Sequence, residues 1–286
     1  MVFDRLTEIL DLTIKVGWET ASILRQAETA FDVEKSGESP VTSADLAANR
    51  CILDGLQAAL GTEEFAYLSE ETYATQPPEA RLGKPWVWII DPLDGTKDFI
   101  QGAGEYASHI ALTHKGRPVL SVVACPGKGR LYSAVKGQGT HVATQNGDRQ
   151  RLTVSTKADP KELVLLTSRN HRSGPLENLI TQLPHHSQKA VGSIGGKLAA
   201  IVEQQADLYL TISGKSAPKD WDFAAPDLIL TEAGGKLTTF DGLPLTYNQK
   251  DVSQWGGIMA SNGPCHVDLC AIANRVMAID EGWLEG

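Results

Sequence analysis

Cysteine is scarce. The four in 286 residues are Cys51, Cys125, Cys265 and Cys270. None forms a C-x-x-C pair, and none stands at a spacing with histidine that suits zinc, so neither a disulfide framework nor a zinc module is indicated. They read as buried reduced thiols, which fits a reducing compartment. No apolar run reaches the length of a membrane span. The opening MVFDRLTEIL carries an acidic residue at Asp4 and lacks the basic and apolar regions of a secretory leader. The expectation is a cytoplasmic protein with no membrane partner. Basic residues are outnumbered: 26 Lys and Arg face 35 Asp and Glu, giving a net charge of -9 and no basic patch. That balance argues against nucleic acid as a partner. It suits a protein that concentrates divalent cations, and equally it is the mild acidity of ordinary soluble proteins. Internal repeats, low-complexity tracts and a Ser/His/Asp or Cys/His nucleophile are also missing.

What is present is ordinary globular composition, 42% hydrophobic and 21% charged. The length allows one large domain or two packed subdomains, with a core that needs no staples. Leu6, Ile9, Leu10, Thr13, Val16, Gly17 and Trp18 fall at helical spacing. After the polar EKSGESP, a second helix starts near Thr42 or Ser43, carries Leu46, Ile52, Leu53 and Leu56, and closes at Gly61. FAYLS, WVWII, HIALTH, VLSVVAC and LYSAV read as strands, the later ones as an antiparallel meander. Beyond the polar stretch at 145–160, strand and helix alternate: ELVLLTS, GGKLAAIVEQQ, DLYLTI, DFAAPDLILTEAGG, KLTTF, GGIMAS and a C-terminal helix. The expected fold class is α/β, with an α+β subdomain over 1–150 and an α/β subdomain over 151–286.

The densest chemistry is Asp91-Pro92-Leu93-Asp94-Gly95-Thr96. An apolar strand delivers Asp91, Pro92 bends the chain, and Gly95 permits a backbone geometry that other residues resist. Two carboxylates three residues apart on a turn repel each other when bare and become hard-oxygen ligands for Mg²⁺. The Gly95 and Thr96 amides can receive a phosphate oxygen. Taken alone, the same stretch is equally a plain surface turn. Glu70 and Glu71 follow another strand-like segment, and by themselves read as a solvated loop. Asp222, after Trp221, reads by itself as a helix cap. The combination fits a site of two or three metals that clamps a phosphoryl group. Asp45 near a helix start pairs with the helix dipole, or orients the Thr96 hydroxyl, which in turn holds a water for in-line attack.

LSEE, WVWIIDPLDGTKDF and WDFAAPDLILTEAGG match, in order, three motifs of the inositol-monophosphatase-like, lithium-sensitive phosphatases, and SPVTSAD matches the one that precedes them. The resemblance covers almost the whole chain. It implies a layered αβαβα sandwich of the inositol-monophosphatase and fructose-bisphosphatase type. It implies metals on Glu70, Asp91, the Leu93 carbonyl, Asp94 and Asp222, and a water oriented by Asp45 and Thr96. Glu70, Leu93, Asp94, Gly95, Thr96 and Asp222 would also contact the substrate. DGTKDF and the segment from GEYASHIALTH onward are most similar to the 3'(2'),5'-bisphosphate nucleotidases of sulfate assimilation. That branch implies removal of the 3'-phosphate of adenosine 3',5'-bisphosphate, or of its phosphosulfate counterpart. TSRNH, with Ser168, Arg169 and His171, and the turn bearing Ser193 and Lys197 would contact the nucleotide. The chain departs from the branch at Gly192-Ser193-Ile194-Gly195-Gly196-Lys197, one residue longer than GSSLK, and at SGKSAPKDWD. An inositol monophosphatase or a fructose 1,6-bisphosphate phosphatase is the alternative enzyme, and a non-catalytic regulator or RNA-associated protein the alternative of another class. The expected partner is a small phosphorylated metabolite, and the expected state a monomer or homodimer.

Overall fold

The computed structural model describes residues 2–35, 40–169 and 174–281. In chain order they form α1 (Leu6–Ala27), β1 (Val33–Lys35), β2 (Val41–Thr42), α2 (Ser43–Leu60), β3 (Phe65–Ser69), α3 (Glu70–Tyr73), β4 (Trp86–Asp94), α4 (Thr96–Ile100), β5 (Ala107–His114), β6 (Arg117–Cys125) and β7 (Arg130–Val135). There follow β8 (Gly139–Thr144), β9 (Arg149–Leu152), β10 (Val164–Thr167), α5 (Gly174–Gln182), β11 (Ser187–Ala190), α6 (Ile194–Val202), β12 (Leu208–Ile212), α7 (Asp220–Glu232), β13 (Lys236–Thr239), β14 (Gly257–Ser261) and α8 (His266–Glu281).

Two sheets organise the chain. The first runs β3-β4-β5-β6-β7-β8-β9 and is antiparallel except for the β3–β4 pair. The second runs β11-β10-β12-β14-β13, with its first three strands parallel. Alternation along each strand sends side chains to opposite faces, and the buried clusters follow that rule. Ile9, Leu10 and Val16 of α1 and Ile52 and Leu56 of α2 pack with Trp88, Ile90, Leu112 and Leu120 on one face of the large sheet. Val87, Ile89 and Ala111 on the opposite face meet Leu198 of α6, Phe223 and Leu228 of α7, and Leu166 and Ile258 of the second sheet. The outer face of that sheet is closed by Leu176 and Leu179 of α5 and Leu269 and Ala273 of α8. The result is the expected αβαβα order of layers. One apolar cluster spans both halves of the chain, so they share a core. Among the described residues no helix is long and apolar enough to cross a membrane.

Two strands lie where the sequence shows no apolar pattern. β9, inside the polar stretch near 150, and β11 expose nearly every side chain and sit at sheet edges. Backbone pairing, with only Leu152 of β9 reaching the core, holds them, and side-chain periodicity carries no trace of that.

Candidate active site

The site is built where β4 ends and α2, α6 and α7 begin. β4 is apolar on both faces up to Ile90 and then delivers Asp91 and Asp94. In a regular strand, residues three apart point to opposite faces. Here the β4–β5 register slips between these two positions: Asp91 pairs with His109, and Asp94 pairs with Ala107. Three steps on β4 therefore match two on β5, the signature of a bulge. The slip is centred on Pro92, which has no amide hydrogen to contribute to a ladder. The extra residue brings both carboxylates to one side. Asp91, Asp94 and Asp222 each offer an oxygen within 4.8 Å of the others. The Leu93 N–H donates to Asp91 Oδ1 at 3.0 Å. Gly95 ends the turn at φ +91°, a conformation that suits glycine.

Two helix starts supply further carboxylates by one device. Thr42 caps α2, and Asp45 in the first turn reaches back so that Oδ2 accepts the Thr42 N–H (2.7 Å) and hydroxyl (2.6 Å). Asp45 Oδ1 is left to face the Thr96 hydroxyl at 3.2 Å. That hydroxyl also lies 3.0 Å from the Leu93 carbonyl. At the start of α7, Asp222 Oδ2 accepts the Lys219 N–H at 2.5 Å, and the carboxylate keeps its other oxygen. Both residues bind their own helix start through one oxygen and leave the other open to a further contact.

The electrostatics separate the cluster's members. Burial raises Asp91 well above its ordinary value, and the charges of Glu70, Asp94, Asp222 and Asp45 add to it. Burial and Asp94 push Asp222 up to about 6. Burial likewise raises Asp45 against its hydrogen bonds to Thr42 and Thr96. Asp94 goes the other way. Burial opposes its charge, but His109, the Gly195 N–H and Lys197 outweigh it and hold the carboxyl below the ordinary value. Asp94 Oδ2 lies 3.2 Å from His109 Nε2 and accepts the Gly195 N–H at 2.8 Å. Glu70, at the start of α3, lies outside the three-carboxylate cluster. It is exposed as a residue, yet protein atoms crowd its carboxyl group. That desolvation, with Asp222, Glu71, Asp45 and Asp94, holds it well above the ordinary range. Hard oxygen donors that repel one another in a buried pocket are what a divalent cation relieves, so the donor set fits Mg²⁺.

Of the residues suggested for the nucleotide, Ser193 caps α6 by accepting the Gly196 N–H at 2.8 Å. Lys197 is buried, with its ammonium donating to the Gly192 carbonyl and lying over the Tyr209 ring at 5.2 Å. Burial lowers it to about 8 despite the nearby Asp94, Asp98, Glu105 and Asp222. Arg169 is exposed and paired with Glu105. His171 lies outside the described residues. Two site residues escaped the sequence reading. His109 is fully buried, with Nδ1 3.1 Å from the Trp221 carbonyl, and so ties β5 to α7 beside both aspartates. A histidine on the core side of an apolar strand was the available signal. Gly195 is the other: a Cβ there would stand 2.3 Å from His109 Nε2, so only glycine lets α6 present its amide to Asp94. The stretch that lengthens GSSLK by one residue is thus the one that reaches the acidic cluster.

Comparison with known proteins gives a consistent set. The model of the inositol monophosphatase family matches residues 5–278. The chain is 32% identical over 248 residues to the 3'(2'),5'-bisphosphate nucleotidase CysQ of Escherichia coli O157:H7, covering 86% of this chain and 95% of that protein. It is 28% identical to a probable 3'(2'),5'-bisphosphate nucleotidase 4 of Arabidopsis thaliana, covering 84% of each. Among solved structures, a Thermotoga maritima IMPase superposes with a TM-score of 0.78 at 25% identity, over 95% of this chain and 98% of the other. CysQ from Bacteroides thetaiotaomicron gives 0.73 at 26% identity, over 89% and 97%.

Proposed function

This chain belongs to the inositol monophosphatase family, and we propose that within it the protein is a magnesium-dependent 3'(2'),5'-bisphosphate nucleotidase. The reaction is hydrolysis of the 3'-phosphate of adenosine 3',5'-bisphosphate, yielding AMP and inorganic phosphate. The observation that carries the phosphatase chemistry is the convergence of Asp91, Asp94 and Asp222 beside the Thr96–Asp45 pair. The nucleotide preference is supported by the likeness to proteins named CysQ and by the cationic Arg169, paired with Glu105 beside the 192–195 turn.

In this reading Asp91, Asp94 and Asp222, with Glu70 and the Leu93 carbonyl, hold two or three magnesium ions. When bound, these supply positive charge to the phosphoryl oxygens and acidify a water. The protein's own part is orientation. Thr96 Oγ1 has acceptors in Asp45 Oδ1 and the Leu93 carbonyl, so its proton is committed and its lone pairs face a water. That water is aimed in line at phosphorus, and the Thr96–Asp45 pair draws off its proton. The Gly95 and Thr96 amides receive a phosphoryl oxygen. Ser193 and Lys197 act through the α6 turn, shaping the wall and adding charge near Asp94.

Phosphate release with Mg²⁺ from adenosine 3',5'-bisphosphate, inositol 1-phosphate and fructose 1,6-bisphosphate tests the assignment. A clear preference for the first is expected. A preference for inositol 1-phosphate would transfer the assignment to an inositol monophosphatase, the reading favoured by the structural likeness to the Thermotoga protein.

A further inference from the structure

Glu105 stands in the loop between α4 and β5, and nothing in the chemistry above uses it. Among the described residues its carboxylate makes two polar contacts. Oε2 accepts the Gly192 N–H at 2.7 Å, and Oε1 lies 2.8 Å from Arg169 Nη2. Its carbonyl accepts the Ser193 N–H at 3.2 Å. The same 192–195 turn presents the Gly195 N–H to Asp94. The Arg169 guanidinium is therefore held across one turn of backbone from the acidic cluster, and Glu105 is a group that holds it. Asp98, in the same neighbourhood, also feels the charges of Arg169 and Lys197.

Two features mark this pair as able to open. The side chains of Arg169 and Glu105 are 38% and 28% exposed, so water can take over each charge when they part. Pairs this wet contribute little to stability. When Arg169 leaves, Glu105 still accepts the Gly192 N–H, so its own carboxylate keeps a partner. The Arg117–Asp227 pair is the opposite case. Its carboxylate is fully buried, and separating it would leave a charge without solvent.

We propose that Glu105 is a specificity-determining latch. In the free protein it occupies Arg169 as a stand-in anion, and the second phosphate of a bisphosphate substrate displaces it. A phosphate carries more charge than a carboxylate and matches the guanidinium fork, so it wins the exchange. A monophosphate brings no second anion and leaves the latch closed. The proposal rests on the nucleotidase reading above.

The test compares adenosine 3',5'-bisphosphate with adenosine 3'-monophosphate, which lacks only the 5'-phosphate. The wild type, Glu105→Gln, Arg169→Ala and the double variant are assayed, with thermal melting as a check of folding. Glu105→Gln keeps the acceptor for Gly192 and removes the competing charge. It should lower the bisphosphate KM about 3- to 10-fold at unchanged kcat, the scale of one part-exposed charged contact. The monophosphate KM should move less than about twofold. In the Arg169→Ala background the gain should vanish. Glu105→Asp, too short to span both partners, should shift KM in the same direction if the glutamine variant folds poorly. An unchanged or raised bisphosphate KM in both Glu105 variants overturns the latch, as does an equal gain without Arg169. A wild type that handles both substrates alike overturns the nucleotidase reading, and the latch falls with it.

Discussion

Asp91 and Asp207 are the same residue type, buried to the same degree, and answer burial in opposite ways. Asp207 leads into β12. Its carboxylate accepts from the Ser155 hydroxyl at 2.5 Å, the Lys157 ammonium at 2.8 Å and the Val164 N–H at 2.9 Å. Donors surround it, and it ties the 153–157 segment to the second sheet. Asp91 has the Leu93 N–H at 3.0 Å and beyond that meets the charges of Glu70, Asp94 and Asp222. One carboxylate has its partners inside the chain. The other faces groups of its own sign, an arrangement that a proton or a cation from outside relieves. Buried acid alone therefore says nothing about function, and the sign of its neighbours does.

The sharpest way to break this contrast is Asp91→Asn. It keeps an acceptor for the Leu93 N–H and removes a repelled charge. Turnover with Mg²⁺ should fall about 10³-fold or more, while the metal-free melting temperature holds or rises. A metal-free protein destabilised as much as it is inactivated would show that Asp91 is a structural acid like Asp207. Asp94→Asn should not share the thermal gain, because His109, Gly195 and Lys197 already compensate that charge.

Next in size come Thr96→Ala and Asp45→Asn, each expected to cut kcat about 10²- to 10⁴-fold with Mg²⁺ binding retained. Acting as one unit, they should give a double variant little worse than either single one. Losses that multiply in single- and double-variant kinetics would separate the two residues. Asp207→Ala should do the reverse of Asp91→Asn. Denaturant unfolding should show a loss of about 3 kcal/mol, with kcat of the folded fraction intact. A catalytic defect there would erase the distinction between the two sites.

The smallest effect is a pH dependence of metal-free stability. Folding raises Asp222 from 3.8 to about 6 and so favours its neutral form. That contribution is full below the unfolded value and is lost as pH rises through about 6. The melting temperature of the metal-free protein should therefore fall between about pH 4 and 6.5, and Mg²⁺ should restore it at the upper end. Asp222→Asn should flatten the slope. A slope that is unchanged in that variant would remove Asp222 from the cause.

Much of the fold was legible because the signals are local. The α1 face, the Thr42 cap and the apolar strands each follow from neighbours a few residues apart. The exposed edge strands β9 and β11 were not, since their support is backbone pairing to distant strands. Within the site, Asp91, Asp94, Asp222, Asp45 and Thr96 stood out as residue types next to turns and helix starts. Lys197 was suggested as a substrate cation by the family resemblance; the contact of its ammonium with the Gly192 carbonyl at its own helix start was not legible in the sequence.

The sequence by itself determined which carboxylates end a strand or begin a helix, because capping boxes, a proline and a glycine act over three or four residues. Only the tertiary structure decided that these carboxylates meet. The slip of β4 against β5 puts Asp91 and Asp94 on one side, and His109 arrives from the strand alongside. Gly195 brings its amide from a hundred residues away because a missing Cβ leaves room for it. Charge and hydrogen bonding depend on distance through space, and distance through space is what one-dimensional spacing does not record.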